Sequence, residues 1–351
     1  MSIKKIAQEA GVSPATVSRI LNHPDHKCKD ESVKERVWEC AIRMNYIPNL
    51  AARNLRLGRG EDKTENYCIS ILMSRMDETQ SDPFFRELLR IVESEIHRNM
   101  CILDKVLYRP SFSDDRQCEK MNIEKTISQM YYDSSRQSDG ILIIGKCNRE
   151  VLKEINKQYK NVVSINRNST NYEVDEVICD GRKIAALAVE YLIQLGHREI
   201  GYVGECCNEA RYKGYLETLA KYGIDFNANY IFETKQTELE GYEVMEKLMQ
   251  SGSCPSGIYC ANDITAVGML KCLKKYRRRR FIPSVIASDD IEEAQNVTPM
   301  LTTVRLPKDE MGRLAISLLL NRIRGEHTSV LRMEFEGKLM IRSSCETIAR
   351  M

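Results

Sequence analysis

Histidine is scarce in this 351-residue chain, five residues in all, and its thirteen cysteines never form a CxxC pair. A structural zinc site needs closely spaced thiolate or imidazole donors, so none is expected, and the adjacent Cys206-Cys207 suits neither zinc nor an ordinary disulfide. The cysteines are scattered and many sit in apolar runs, which reads as buried or half-buried reduced thiols. No run of eighteen apolar residues exists, so no helix spans a bilayer. The opening MSIKKIAQEAG lacks the apolar segment of a secretory signal, and the expected location is the cytoplasm. GxGxxG, GxxxxGK[ST] and GxSxG are all missing, and no Ser-His-Asp or Cys-His set stands out. Neither a nucleotide-dependent enzyme nor a hydrolase has motif support; no catalytic residue and no cofactor is expected.

What is present is an ordinary globular composition, 42% apolar and 29% charged, long enough for two or three compact units. The net charge of +2 hides an asymmetry. Residues 1–60 carry eleven Lys/Arg against six Asp/Glu, while the remainder is slightly acidic. A basic head on an acidic body favours a polyanionic partner at the head.

The head reads as three short helices. Ile3, Ile6, Ala7 and Ala10 follow i, i+3, i+4, i+7 spacing, and Gly11 ends that helix. In GVSPATVSRILN (11–22), Ser13 is an N-cap and Pro14 suits the first turn, with Val17, Ile20 and Leu21 on one face. Residues from about Asp30 to Met44 supply a third inner face through Val33, Val37, Ala41 and Met44. Two short helices around a glycine turn, completed by a third, describe a helix-turn-helix unit; a plain three-helix cap has the same pattern. NYIPNLAARNLRLG follows, with Pro48 and a short helix bearing Leu50, Ala51, Leu55 and Leu57. So short a helix is marginal in water and orders only against a partner, whether its twin, DNA or both. A leucine flanked by arginines is one means of wedging open a minor groove.

IKKIAQEAGVSPATVSRILN followed by MNYIPNLAARNLRLG resembles the DNA-binding head and hinge helix of the lactose/galactose repressor family. The resemblance implies that Pro14, Ala15 and Arg19 read bases. It implies phosphate contacts from Ser13, Thr16, Ser18, Asn22 and Asn49. It makes Leu55, with Ala52 beside it, the wedge at the centre of a palindrome. Pro14 and Ala15 cannot make bidentate hydrogen bonds, so base hydrogen bonding falls on Arg19, and a thymine methyl suits Ala15.

Beyond the polar linker GRGEDKTEN (58–66), β-like runs alternate with helical patterns: YCISILM, GILIIG, VVSIN, IGYVG, SGIYCAND and SVIASDD. Such alternation implies parallel sheets with right-handed crossovers, whose ligands bind beyond the strands' carboxyl ends. Asn166, Arg211, Asn262, Asp263, Asp289 and Asp290 stand at such ends. Amide, guanidinium and carboxylate together suit adjacent sugar hydroxyls, although Asp263 also reads as the cap of a helix starting at Ile264. RYKGY, YCANDITAVGML, ASDD and LTTVRLPKDEMG resemble the same family's core, which is similar to periplasmic sugar-binding proteins. The resemblance implies two lobes with a sugar-sized effector contacted by Asn166, Arg211, Asn262 and Asp289. Pro83, Phe84 and Phe85 lie where the family's first lobe meets the ligand; the aromatic pair stacks on a sugar or belongs to the core. SDPFF and DGILIIGK most resemble repressors of β-galactoside utilisation. Asn166 replaces the family's usual aspartate, and the segment between Pro283 and its strand is short. The Arg277–Arg280 run reads as a solvated helix end or as a basic patch.

The expectation is an all-α helix-turn-helix head joined to an α/β periplasmic-binding-protein-like core of two doubly wound parallel-sheet lobes. The head covers 1–57 with its hinge helix at about 49–57, the linker 58–66 and the core 67–351. The first lobe is expected at about 67–165 and 307–325, the second at about 166–306 and 326–351. The expected function is a homodimeric, DNA-binding transcriptional regulator, a repressor of a carbohydrate-utilisation operon, controlled by a small sugar effector such as a galactoside. A sugar-binding protein or sugar-modifying enzyme without a DNA partner is the alternative.

Overall fold

A computed structural model of the chain describes residues 3–22, 31–44, 66–76, 82–133, 138–276 and 282–348. The hinge residues Asn49, Ala52 and Leu55 and the Arg277–Arg280 run lie outside the described residues.

The head is built from α1 (Ile3–Ala10), α2 (Pro14–Asn22) and α3 (Glu31–Arg43). Ile6, Val17, Ile20, Leu21 and Val37 are almost wholly buried in one small core. At this size each large apolar side chain matters, since full burial of one is worth about 1.5–3 kcal/mol. Gly11, at φ +67°, turns the chain between α1 and α2 in the left-handed region that glycine adopts without a Cβ penalty. The Ser13 hydroxyl then accepts from Thr16 N at 3.1 Å, starting α2.

The core contains two six-stranded sheets. The first carries β1 (Cys68–Met73), β2 (Ile102–Tyr108), β3 (Gly140–Ile144), β4 (Val162–Asn166), β5 (Asp175–Cys179) and β11 (Arg332–Phe335), in the order β11-β5-β4-β3-β1-β2. The second carries β6 (Ile200–Gly204), β7 (Ile231–Glu233), β8 (Gly257–Cys260), β9 (Ser284–Asp289), β10 (Thr302–Arg305) and β12 (Lys338–Met340), in the order β12-β10-β9-β8-β6-β7. Every pairing is parallel except β10 with β12. Continuous apolar runs such as GILII are buried throughout, as helix-covered parallel strands require.

The lobes divide the chain differently from the sequence expectation. Asp175–Cys179 and Arg332–Phe335 pair within the first sheet, although residues 166–306 and 326–351 were expected in the second lobe. The reason is the β4–β5 pairing, Val163 with Asp175 through Asn166 with Ile178, which keeps the chain in the first sheet past residue 165. The chain therefore passes between sheets after β5, after β10 and between β11 and β12.

The passage from β10 back to the first sheet is pinned by buried charge. Asp175 accepts two hydrogen bonds from Arg322, one from Leu331 N, and contacts His327 Nε2 at 2.8 Å. Arg322 lies on α13 (Lys308–Ile323), so one carboxylate ties β5 to that helix and to the approach to β11.

Candidate DNA interface and interlobe cleft

On α2, burial and exposure divide as an amphipathic helix demands. Val17, Ile20 and Leu21 face inward, whereas Pro14, Ala15 and Arg19 are exposed and Thr16 and Ser18 are half-buried. Ser13 is exposed as well, its hydroxyl 2.8 Å from that of Thr16. The resulting outer surface is small, polar and singly basic, shaped for close approach to a groove.

The interlobe site is assembled by strand ends and by α4 (Pro83–Arg98). Pro83 occupies the first turn of α4 behind the N-cap Asp82, and this start drives Phe84 and Phe85 inward, edge to face at 5.2 Å. Arg167, one residue beyond β4, stands over both rings, 4.4 Å from the Phe84 centroid and 5.1 Å from that of Phe85. Its guanidinium donates to the Asp289 carboxylate across the cleft at 2.7 Å, with the two side chains 6% and 2% exposed. Burial pushes the Asp289 carboxyl up to about 6 against the pull of Arg167, so it stays ionised at neutral pH.

Arg211, in the first turn of α9 (Ala210–Lys221), is equally enclosed. It donates to Glu209 at 2.8 Å, to the Ala261 carbonyl at 2.6 Å and to the Gln236 side-chain oxygen at 3.3 Å. Burial pushes the Glu209 carboxyl up, but Arg211, with Arg75 and Arg167 behind it, holds it well below the usual carboxylate range. Asn262 donates to the Gln236 carbonyl at 3.1 Å, so Arg211 and Asn262 share one partner. Asn166 spends its side-chain oxygen on the N–H groups of Arg167 and Asn168. It thereby shapes the loop that delivers Arg167.

Asn262, rather than Asp263, caps α11 (Asp263–Leu273), accepting from Thr265 N and its hydroxyl. This corrects the sequence reading by one residue. Asp263 is the first helical residue and is fully buried, accepting from Thr303 Oγ1 at 2.5 Å and Ile291 N at 3.0 Å. Burial, aided by the charges on Asp289 and Asp290, pushes its carboxyl up to about 8, so it is mostly protonated at neutral pH.

Asn208, Gln236, Asp289 and Asp290 take φ of +47°, +64°, +139° and +52°. All four follow or end strands of the second sheet beside the cleft, where side chains other than glycine adopt such angles at a cost of about 1–3 kcal/mol each. At the mouth, Glu205 is gripped by Arg75 at 2.6 Å and Lys146 at 3.0 Å, and Asn208 donates to Asp115. The space among Phe84, Phe85, Asn166 and Arg167 is only about 10 Å³. A larger opening of about 820 Å³ lies beyond Asn166, lined by Lys146, Asn148, Asn168, Asn208, Arg182 and others.

The structure thus brings Phe84, Phe85 and Asp289 together through Arg167, and Arg211 with Asn262 through Gln236. Arg167, Glu209 and Gln236 were not singled out from sequence. A lone arginine, a helix-capping glutamate and a loop glutamine carry no local signal, because their partners lie elsewhere in the chain. The twelve described cysteines are all free thiols.

A helix-turn-helix head followed by a two-lobed, binding-protein-like core is the architecture of a DNA-binding transcriptional regulator. Residues 2–49 match the bacterial regulatory proteins of the lacI family, and residues 189–345 match the periplasmic binding protein-like domain. The head is thus a lacI-family helix-turn-helix domain, and it is joined to a periplasmic-binding-protein-like domain. The chain is 26% identical over 363 residues to the HTH-type transcriptional repressor PurR of Mannheimia succiniciproducens, covering 99% of each chain. It is 28% identical over 358 residues to the HTH-type transcriptional repressor CytR of Escherichia coli, covering 99% of this chain and 97% of that one. Among solved structures it resembles the transcriptional regulator CelR–cellobiose complex, at TM-score 0.66 and 22% identity over 98% of this chain and 100% of that one. It also resembles the lac repressor dimer bound to operator and the anti-inducer ONPF, at TM-score 0.67 and 19% identity over 99% of each chain. These relatives are transcription regulators rather than enzymes. No helix among the described residues is long and apolar enough to cross a membrane.

Proposed function

We propose that the chain works in the cytoplasm as a homodimeric repressor of a carbohydrate-utilisation operon, and that a small sugar between its lobes controls operator binding. The observation that carries the reading is the pairing of two surfaces in one chain. One is the outer face of α2, with Pro14, Ala15 and Arg19 exposed over a fully apolar inner face. The other is an interlobe cleft where aromatic rings meet buried Asp, Arg and Asn side chains. The likenesses to an operator-bound lac repressor dimer and to a cellobiose-bound regulator support both halves.

Arg19 reads base edges, with Ala15 packing on a thymine methyl, while Ser13, Thr16, Ser18, Asn22 and Asn49 hold phosphates. Leu55 and Ala52 from paired hinge segments open the minor groove at the dyad. The sugar binds one lobe arrangement better than the other and so shifts the population able to pair those hinges. In the cleft, Phe84 and Phe85 offer an apolar face, and Asp289, Arg211 and Asn262 offer hydroxyl partners; a β-galactoside is the first candidate. A sugar-binding protein or sugar-modifying enzyme without a DNA partner leaves the exposed face of α2 without a use.

The test is a footprint on palindromes upstream of neighbouring carbohydrate genes, at several salt concentrations, with and without galactosides and glucosides. Protection of one palindrome that a sugar relieves is the expected result. Binding that is equal on all sequences and indifferent to every sugar overturns the proposal.

A further inference from the structure

The sequence places a sugar among Phe84, Phe85, Asn166 and Asp289, yet that space is already filled by a side chain of the protein. The Arg167 guanidinium lies over the Phe84 ring at 4.4 Å and the Phe85 ring at 5.1 Å, and donates to Asp289 at 2.7 Å. The room left between the rings and the Arg167 loop, about 10 Å³, admits about one water and no sugar ring. Arg167 follows β4 of the first sheet, whereas Asp289 ends β9 of the second, so the contact also draws the lobes together. A planar cation stacked on aromatic faces and paired with a carboxylate makes the contacts that a sugar ring makes there: a flat surface on the rings and donors to the carboxylate.

We propose that Arg167 is a specificity-determining plug, seated in the effector's place and displaced when an effector binds. This rests on the reading of the cleft as an effector site. The ligand class follows from what displacement requires. The incoming molecule must cover the Phe84 and Phe85 faces with C–H groups and give the Asp289 carboxylate a hydroxyl donor in place of the guanidinium, which a pyranose ring does. Linear polyols and monohydric alcohols lack that combination and stay out. Apparent affinity is the intrinsic affinity scaled by the fraction of molecules whose plug is out, so removing the plug strengthens binding. A residue that instead contacts the bound sugar has the opposite effect when removed.

The experiment compares the full-length wild-type chain with Arg167→Ala and with Arg167→Met, which keeps much of the volume over the rings should the smaller side chain impair folding. Hydrogen exchange without ligand is read in peptides spanning Phe84–Phe85 and Asp289–Asp290, and calorimetry is run with D-galactose, lactose, cellobiose and the linear polyol sorbitol. Expected are exchange at least tenfold faster in both peptides and binding of at least one pyranose at least tenfold tighter than by wild type, with sorbitol bound by none of the three proteins. Unchanged exchange, or pyranose binding weakened tenfold, overturns the plug. Faster exchange with no sugar bound by any of the three proteins upholds the plug, and it is then the carbohydrate reading of the cleft that fails.

Discussion

Arg211→Ala is expected to cost far more than effector contact. Arg211 is 2% exposed and Glu209 1%, and the guanidinium is the cation nearest that carboxylate, at 2.8 Å. Truncation leaves Glu209 buried without it and strips the Ala261 carbonyl and the Gln236 side-chain oxygen of donors. Breaking a buried pair from one side costs about 3–5 kcal/mol, because the remaining charge is uncompensated. At about 2–4 °C per kcal/mol for a unit of this size, the core transition should fall by roughly 6–20 °C. The paired change Glu209→Gln with Arg211→Met removes both charges, and such replacements are often close to neutral. It should recover more than half of the loss while remaining blind to effector, which makes it the folded control that Arg211→Ala cannot be. Calorimetric melting of wild type, single and double variants without ligand reads this directly. A single variant within about 1 kcal/mol of wild type, or a double variant no more stable than the single, refutes the uncompensated-charge argument.

Asp263 holds its proton more tightly folded than unfolded, about 8 against an ordinary 3.8, so its contribution to stability is fully present below the lower value and lost as pH rises through the upper one. Wild-type stability measured against Asp263→Asn should therefore decline between about pH 4 and pH 8; a flat difference across urea titrations means the carboxyl is ionised in the fold. Gly268→Ala places a Cβ 1.9 Å from the Glu238 carbonyl where α11 crosses α10 (Glu238–Ser251), an overlap that forces backbone apart. It should destabilise by about 1–3 kcal/mol or more in thermal melts, and an unchanged melt means that the two helices separate freely. Arg19→Ala should lower specific operator affinity by about 1–3 kcal/mol and relax preference at one base pair per half-site; equal losses on operator and random DNA in competition assays remove it from base reading.

Much of the fold was legible because parallel strands buried on both faces print themselves as apolar runs, and the head because its stripes repeat at helical spacing. The strands that were missed are short or chemically mixed. ILDKVLY in β2 is only half-buried at a sheet edge, and KLM in β12 and RMEF in β11 hold their places by pairing rather than by pattern. The choice left open at Phe84 and Phe85, between core and stacking surface, has a physical answer: both rings are buried and both carry a cation on a face.

The cleft shows where such reading stops. Asn166 and Arg167 are neighbours, and only the first stood out, as a departure from a resembled pattern. Yet Asn166 turns its side chain back on its own loop, while Arg167 reaches a carboxylate 122 residues away. Strand periodicity states which residues end a strand, not which of two consecutive side chains crosses to the other lobe, since that depends on where the second sheet puts its own strand ends. Asp289 ends β9 with its backbone at φ +139°, an angle no pattern in ASDD discloses. Strain of that kind persists where the surroundings over-determine it, and here they do so through charge: Arg167 holds Asp289, while Arg305 and Arg342 hold Asp290. An effector that takes Asp289 from Arg167 therefore removes one restraint on a strained corner from which the chain runs on to β10 and the crossing to the first lobe. A local exchange of partners becomes a change in how the lobes sit.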